Sequence, residues 1–238
     1  MQKAPINWTN TILFTLTPLL AVTLVPYYGF THGYGLYEWV VFFVLMGFCG
    51  MSITAGYHRL WSHKTYKAHP IIRFVFALGG ACALQNDVFH WASDHRRHHA
   101  HVDNNDKDPY SAGLGFWYSH IGWILRDFDS GKVDFSNIKD LQRDPILVWQ
   151  HKHYLALVLT MNIGVPAFLG YLGGDVIGGL LLGGLLRLVL SQHVTWFINS
   201  IAHIWGRQPY SDASSARDNP LLALITYGEG YHNYHHTF

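Results

Sequence analysis

Charge is scarce in this sequence: Asp, Glu, Lys and Arg make up 13% of its 238 residues, where soluble globular domains carry about 25%. That deficit excludes an ordinary water-solvated surface and points to a membrane. Cysteine is almost missing as well. Cys49 and Cys82 lie far apart in apolar stretches, which excludes a disulfide framework or a Cys-rich zinc site and leaves two buried thiols packing as small hydrophobes. The formal net charge is only +1 and no basic run offers a surface for nucleic acid. The opening MQKAPINWTN has no small-residue cleavage site after a short apolar core, so no removable signal peptide is expected. Internal repeats, low-complexity tracts and a soluble domain boundary are also lacking, so residues 1–238 are expected to form a single membrane domain.

What the sequence does have is hydrophobic length. Half of the residues are hydrophobic and 16% aromatic. Residues 11–30 are free of charge and, at 1.5 Å per residue, about 30 Å long as a helix, which matches a bilayer core. A second run, 37–56, follows a short loop and carries Glu38 as its only formal charge. A second pair of spans is expected over 155–174 and 176–200, joined by Gly173, Gly174 and Asp175. Arg187 and His193 interrupt the last span, and at that depth both should face protein or water. The apolar stretch 71–84 is only fourteen residues long and carries Arg73, so it is expected to be interfacial or re-entrant. Neither hairpin loop contains Lys or Arg, whereas Lys3, the basic residues from Arg59 to Lys152, Arg207 and Arg217 lie on the other side. Both termini and the central loop are therefore expected on the cytoplasmic face. The fold class that follows is all-α and integral to the membrane: four transmembrane helices in two hairpins, under a cytoplasmic helical cap of 57–154 and 201–238.

Seventeen histidines exceed what an apolar protein needs for packing. Three clusters stand out: His58-Arg-Leu-Trp-Ser-His63, His95-Arg-Arg-His98-His99 and His232-Asn-Tyr-His235-His236. In the second and third, spacings of i, i+3 and i+4 put three imidazoles on one helix face. The first pair, five apart, would diverge by about 140° on an ideal helix, so His63 is expected past the helix end or on a tightened turn. With four spans all three clusters reach one side of the membrane; a crossing by 71–84 would separate the first two. Thr195, Asn199 and His203, spaced by four, form a polar stripe where the last span emerges. His203 is read as the ninth ligand, and Asn199 as the residue holding a metal-bound water. Nine imidazoles exceed the needs of any single zinc site, so two metals are implied; imidazole alone does not choose among Fe, Zn, Cu and Ni. His32, His69, His90, His101, His120, His151, His153 and His193 are read as interfacial or hydrogen-bonded, with His101, Asp94 and Glu229 near enough in sequence to support a ligand.

At HRLWSH, HRRHH, NSIAH and GEGYHNYHH the sequence resembles the membrane-bound fatty acid desaturases, most closely the delta-9 acyl-CoA or acyl-lipid type, from about residue 40 to the end. The resemblance implies two Fe ions held by His58, His63, His95, His98, His99, His203, His232, His235 and His236, with Asn199 acting through water. It implies O2 as co-substrate, two external electrons and a cis double bond introduced into a long saturated acyl chain. The acyl tunnel would be pinned at its bend by Gln85 and Thr195 and lined by Trp91 and Trp196, with Asn86 and Asp87 near the head group. Gly50 and Met46, eight and twelve residues before His58 and roughly 12 and 18 Å deeper, are expected at the tunnel end.

Two departures bear on the substrate and on the length of the chain. Ser93 stands where the animal enzymes have a basic residue that helps bind CoA, which leaves acyl-CoA and acyl-lipid substrates both open. The sequence stops two residues after His236, where relatives continue, so a truncated C-terminus is expected. With no heme-binding extension, the electron donor would be a separate ferredoxin, or cytochrome b5 with its reductase. The expected location is a bacterial inner membrane or the endoplasmic reticulum, with membrane lipid as the surroundings. The alternatives are a di-iron fatty acid hydroxylase and a membrane metal transporter. Against the second, the clusters sit at span ends instead of lining a path across the bilayer.

Overall fold

The computed structural model describes residues 4–238, and its regular structure is helical, with no strand beyond isolated bridges among the described residues. Lys3, used above for orientation, lies outside them. Four helices are long and apolar enough to cross a membrane: α1 (Trp8–Thr31), α2 (Leu36–Ser62), α5 (Pro145–Gly173) and α6 (Val176–Ile204). Each contains one of the expected spans or most of it. The third begins ten residues earlier than expected, because Pro145 at the first helical position and Asp144, whose side chain accepts from the Ile146 N–H, start a helix there.

Between the hairpins, α3 (Pro70–Ala83) is capped by the His69 side chain, and α4 (Val88–His101) follows at 82°. The break is made by Leu84 and Asn86, both with positive φ. Two short helices close the chain, α7 (Pro220–Ile225) and α8 (His232–Thr237).

The chain divides into two compact units, one comprising the stretch to Thr11, Ala92–Lys139 and His193–Phe238, the other Ile12–Trp91 and Asp140–Gln192. In the second unit the apolar helices pack on one another while much of α1 stays uncovered. Only Ala21 of α1 is buried, and Phe30 is 91% exposed. Exposed Ile12, Leu16, Leu19 and Val22 on the same helix make an apolar surface that water would not tolerate and lipid would. Arg187, in α6, is fully buried. Its guanidinium donates to the Gly183 carbonyl at 3.1 Å, the Cys82 carbonyl at 2.6 Å and Asn162 Oδ1 at 2.7 Å, tying α6 to α3 and α5. A polar group at this depth is tolerated because its donors are taken up by backbone and amide oxygens.

Close approach sets the α2–α3 contact. A Cβ on Gly80 would lie 2.0 Å from the Tyr57 ring, and one on Gly79 2.0 Å from Ser52 Oγ. Tyr57 is itself completely buried, its hydroxyl accepting from Gln150 of α5 at 2.5 Å. Gly80→Ala is therefore expected to destabilise the protein by about 1–3 kcal/mol through overpacking. Gly47→Ala, with open space around its would-be Cβ, should be neutral or slightly stabilising. Thermal unfolding in detergent, followed by size-exclusion recovery, checks the pair.

Candidate metal centre

The ligand clusters depend on local helix geometry. From Ser52 to Ser62 the second half of α2 widens into i→i+5 hydrogen bonding, a form common at functional sites. The His63 N–H donates to the His58 carbonyl at 3.0 Å, and Ser62 Oγ donates to the Tyr57 carbonyl at 2.8 Å. A residue five ahead thus comes one turn round, and the His58 and His63 rings meet edge to face with centroids 4.7 Å apart. His63 lies just past the end of α2, one of the two places expected for it, and the turn before it is widened, not tightened.

In the other unit, regular α4 places His95, His98 and His99 as their spacing requires. Centroids of His95 and His99 lie 4.6 Å apart, and His235 Nε2 lies 2.9 Å from His99 Nε2. A second group, His98, His203, His232 and His236, offers four nitrogens within 4.8 Å of one another. His232 Nε2 is 3.1 Å from both His203 Nε2 and His236 Nε2. Burial first, and then the neighbouring imidazoles, hold His232 and His236 far below the usual histidine range. Uncharged imidazoles cannot all donate to one another at that separation, so lone pairs converge on one point, the arrangement that a cation relieves. The donor set fits a first-row transition metal.

The outer hydrogen bonds fix which nitrogen faces inward. Asp108, fully buried, accepts from His98 Nδ1 at 2.9 Å and from the N–H groups of Tyr110 and Asp103. Asp103 accepts from Ser215 Oγ at 2.5 Å, so the Ser215 oxygen is left to accept from His203 Nδ1 at 2.7 Å. Each ring therefore keeps its Nε2 for a metal. The α8 cluster is set by Asp218, which accepts from the N–H groups of Asn233 and Tyr234, and by buried Asn233, which donates to the Ser211 and Ala216 carbonyls. Just before it Gly230 lets the chain pass against α7: a Cβ there would lie 2.2 Å from the Ala223 nitrogen.

Sequence reasoning missed Asp108, Asp103 and Ser215; the Asp103 to Asp108 stretch after the second cluster was their only signal. Of the neighbours it named, Asp94 pairs with Arg97, Glu229 is buried, and His101 ends α4. Asn199 is half-buried, one turn before His203. Trp91 donates to Gln85 Oε1 at 3.3 Å and meets the His58 ring edge-on. Thr195 is half-buried, and buried Trp196 packs against His120 and His193. His120 Nε2 lies 3.0 Å from His193 Nδ1, and burial, aided by His193, pushes His120 down to about 4. Asn86 is exposed and Asp87 buried; Met46 and Gly50 are half-buried on α2. His32 stacks on Tyr28 in the first hairpin. Ser93 is buried, its hydroxyl donating to the Asp134 carbonyl at 2.5 Å.

Replacing Asp108 by Asn would leave His98 a weaker acceptor. Retention of bound metal under chelator challenge is expected to fall about ten- to hundredfold, whereas Asp94→Asn, which disturbs the Arg97 pair, should leave it nearly unchanged. Metal analysis after dialysis reads both.

Comparison with known proteins agrees with this geometry. The profile of the fatty acid desaturase family matches residues 37–238. A probable acyl-CoA desaturase of Schizosaccharomyces pombe is 40% identical over 235 residues, covering 98% of this chain and 48% of the relative. Stearoyl-CoA desaturase of Bos taurus is 41% identical over 239 residues, covering 97% of this chain and 65% of the relative, and stearoyl-CoA desaturase 5 of Homo sapiens is 39% identical over 245 residues, covering all of this chain and 72% of the relative. The chain thus spans about half the length of the fission-yeast relative and just under two thirds of the bovine one. With the profile matched over residues 37–238 and similarity to three desaturases along nearly all of this chain, the chain belongs to the fatty acid desaturase family.

Proposed function

We propose that this protein is a fatty acyl desaturase that removes two hydrogens from a long saturated acyl chain, at the delta-9 position, leaving a cis double bond. The observation that carries the proposal is the convergence of His98, His203, His232 and His236 on one point, with His98 and His203 anchored through Nδ1. Resemblance adds His58, His63, His95, His99 and His235 to the ligand set and gives Asn199 the role of holding a water. Two iron ions held there would supply the redox chemistry with O2 that zinc lacks, with two electrons from a donor such as ferredoxin or cytochrome b5 with its reductase.

The chain's own residues bind and orient the substrate. The resemblance gives Gln85 and Thr195 the acyl bend and Trp91 and Trp196 its walls, and the Gln85–Trp91 hydrogen bond holds one indole in place. Asn86 and Asp87 meet the head group of an acyl-CoA or acyl-lipid. The helices cross the membrane four times, with the histidines at the cytoplasmic face. Burial keeps His232 and His236 uncharged, each with a lone pair free for metal.

Lipid profiling of cells expressing the protein is expected to show fatty acids lighter by two hydrogens; products heavier by one oxygen would assign hydroxylation instead. Protein made without metal-affinity resin should hold about two irons per chain. His98→Ala should abolish the product and His32→Ala, on the first hairpin, should keep it; equal damage from both at matched expression overturns the ligand set. Gly50→Phe should shift products toward shorter acyl chains with iron content unchanged. Wild-type activity on every chain length would remove Gly50 from the tunnel.

A further inference from the structure

Outside the nine histidines, one more group of side chains among the described residues has the composition of a metal site. Asp87, just before α4, His90, in its first turn, and His151, near the start of α5, bring one ligand atom each within 4.8 Å of one another. His90 Nδ1 lies 2.7 Å from Asp87 Oδ2, and His151 Nδ1 lies 3.1 Å from Asp87 Oδ1. Ligands held about 2 Å from a zinc ion at the tetrahedral angle lie roughly 3.3 Å apart, so small ring movements suffice to admit one.

The site is built from both sides. The carboxylate of Asp87 is oriented by the Phe89 N–H, which donates to Oδ1 at 2.9 Å. The Phe89 ring packs on His151 with centroids 5.0 Å apart, and the Val88 N–H donates to Gln150 Oε1 at 3.1 Å, pinning the start of α4 against α5. The imidazoles of His90 and His151 face each other at 5.8 Å with a 30° tilt. Asp87 is buried while His151 is exposed, so an ion can enter from solvent and find its charged ligand at the bottom. Burial alone would raise the Asp87 carboxyl, but His90 and His151 outweigh it and hold the group below the usual carboxylate range, ionised as a ligand must be.

We propose that Asp87, His90 and His151 form a mononuclear site for a divalent cation of the zinc type, which ties the start of α4 to α5. Two imidazoles and one carboxylate leave a fourth position for water, the three-ligand pattern of open zinc sites. Imidazole donors disfavour magnesium and calcium, which take oxygen.

Iron-loaded protein in detergent, titrated with zinc chloride, desalted and analysed for both metals, tests the assignment. Wild type is expected to retain about one zinc per chain more than the His90→Ala/His151→Ala double variant, at equal iron, and zinc should raise the wild-type melting temperature but not the variant's. His153→Ala, on an exposed neighbour of the same helix, should behave as wild type. Equal zinc in wild type and double variant overturns the proposal and leaves a hydrogen-bonded His–Asp–His cluster in its place. Should the double variant lose its monodisperse elution, the same count on His151→Ala, changed only at an exposed side chain, decides. Iron content bears on the desaturase reading and the zinc difference on this one, so the two fail separately.

Discussion

Imidazole nitrogens that are buried, uncharged and 3.1 Å apart repel unless a cation or a shared proton lies between them, and most of the unusual features of this chain serve to hold them there. His98, His203, His232 and His236 come from three separate helices, so no single element can bring them together. Asp108 holds one ring, the Asp103–Ser215 relay another, and Asp218 with Asn233 sets the short α8 that carries two more. Acceptors such as buried Asp108 are costly unless hydrogen-bonded, and Asp108, Asp103 and Asp218 each accept from the groups named above.

The lipid-facing part obeys the opposite rule. Where no polar group needs a partner, side chains are left uncovered: α1 buries one residue of its length and leaves the others half-buried or exposed. Where a polar group does enter, as at Arg187, it is surrounded by carbonyl and amide oxygens. Small residues supply the remaining contacts, Gly79 and Gly80 allowing α3 to press on Ser52 and Tyr57 of α2. The widened turns that follow in α2 carry His58 and His63, so packing and ligand placement share one stretch of helix.

Asp87 shows how a residue can carry more than one account. Its neighbour Asn86 bends the chain with a positive φ between α3 and α4, and its carboxylate then collects two imidazoles from α4 and α5. The head-group assignment comes from resemblance alone, whereas the histidine partners come from the structure. His90 and His151, 61 positions apart, could not have been paired by spacing.

Much of this was legible in the sequence because the signals are local. Charge-free runs of bilayer length mark the four long helices, since lipid demands continuous apolar helix whatever surrounds it. Spacings of three and four put His95, His98 and His99 on one face, because an isolated helix already has that geometry. The five-residue spacing of His58 and His63 announced a departure from the α-helix but not its form; the i→i+5 turn depends on side chains such as Ser62 and Tyr66, which satisfy the carbonyls it leaves loose. The early start of α5, the roles of Asp108, Asp103 and Ser215, and the meeting of His90 with His151 were beyond sequence reading. Each rests on groups distant along the chain or on a hydrogen bond whose direction only its neighbours decide. The sequence by itself determined which residues lie in apolar helices and which histidines share a helix face, through periodicity and hydrophobic length. Tertiary structure alone decided which faces meet and which nitrogen of each ring is turned inward, because an imidazole's tautomer follows its partner and its partner is chosen by folding.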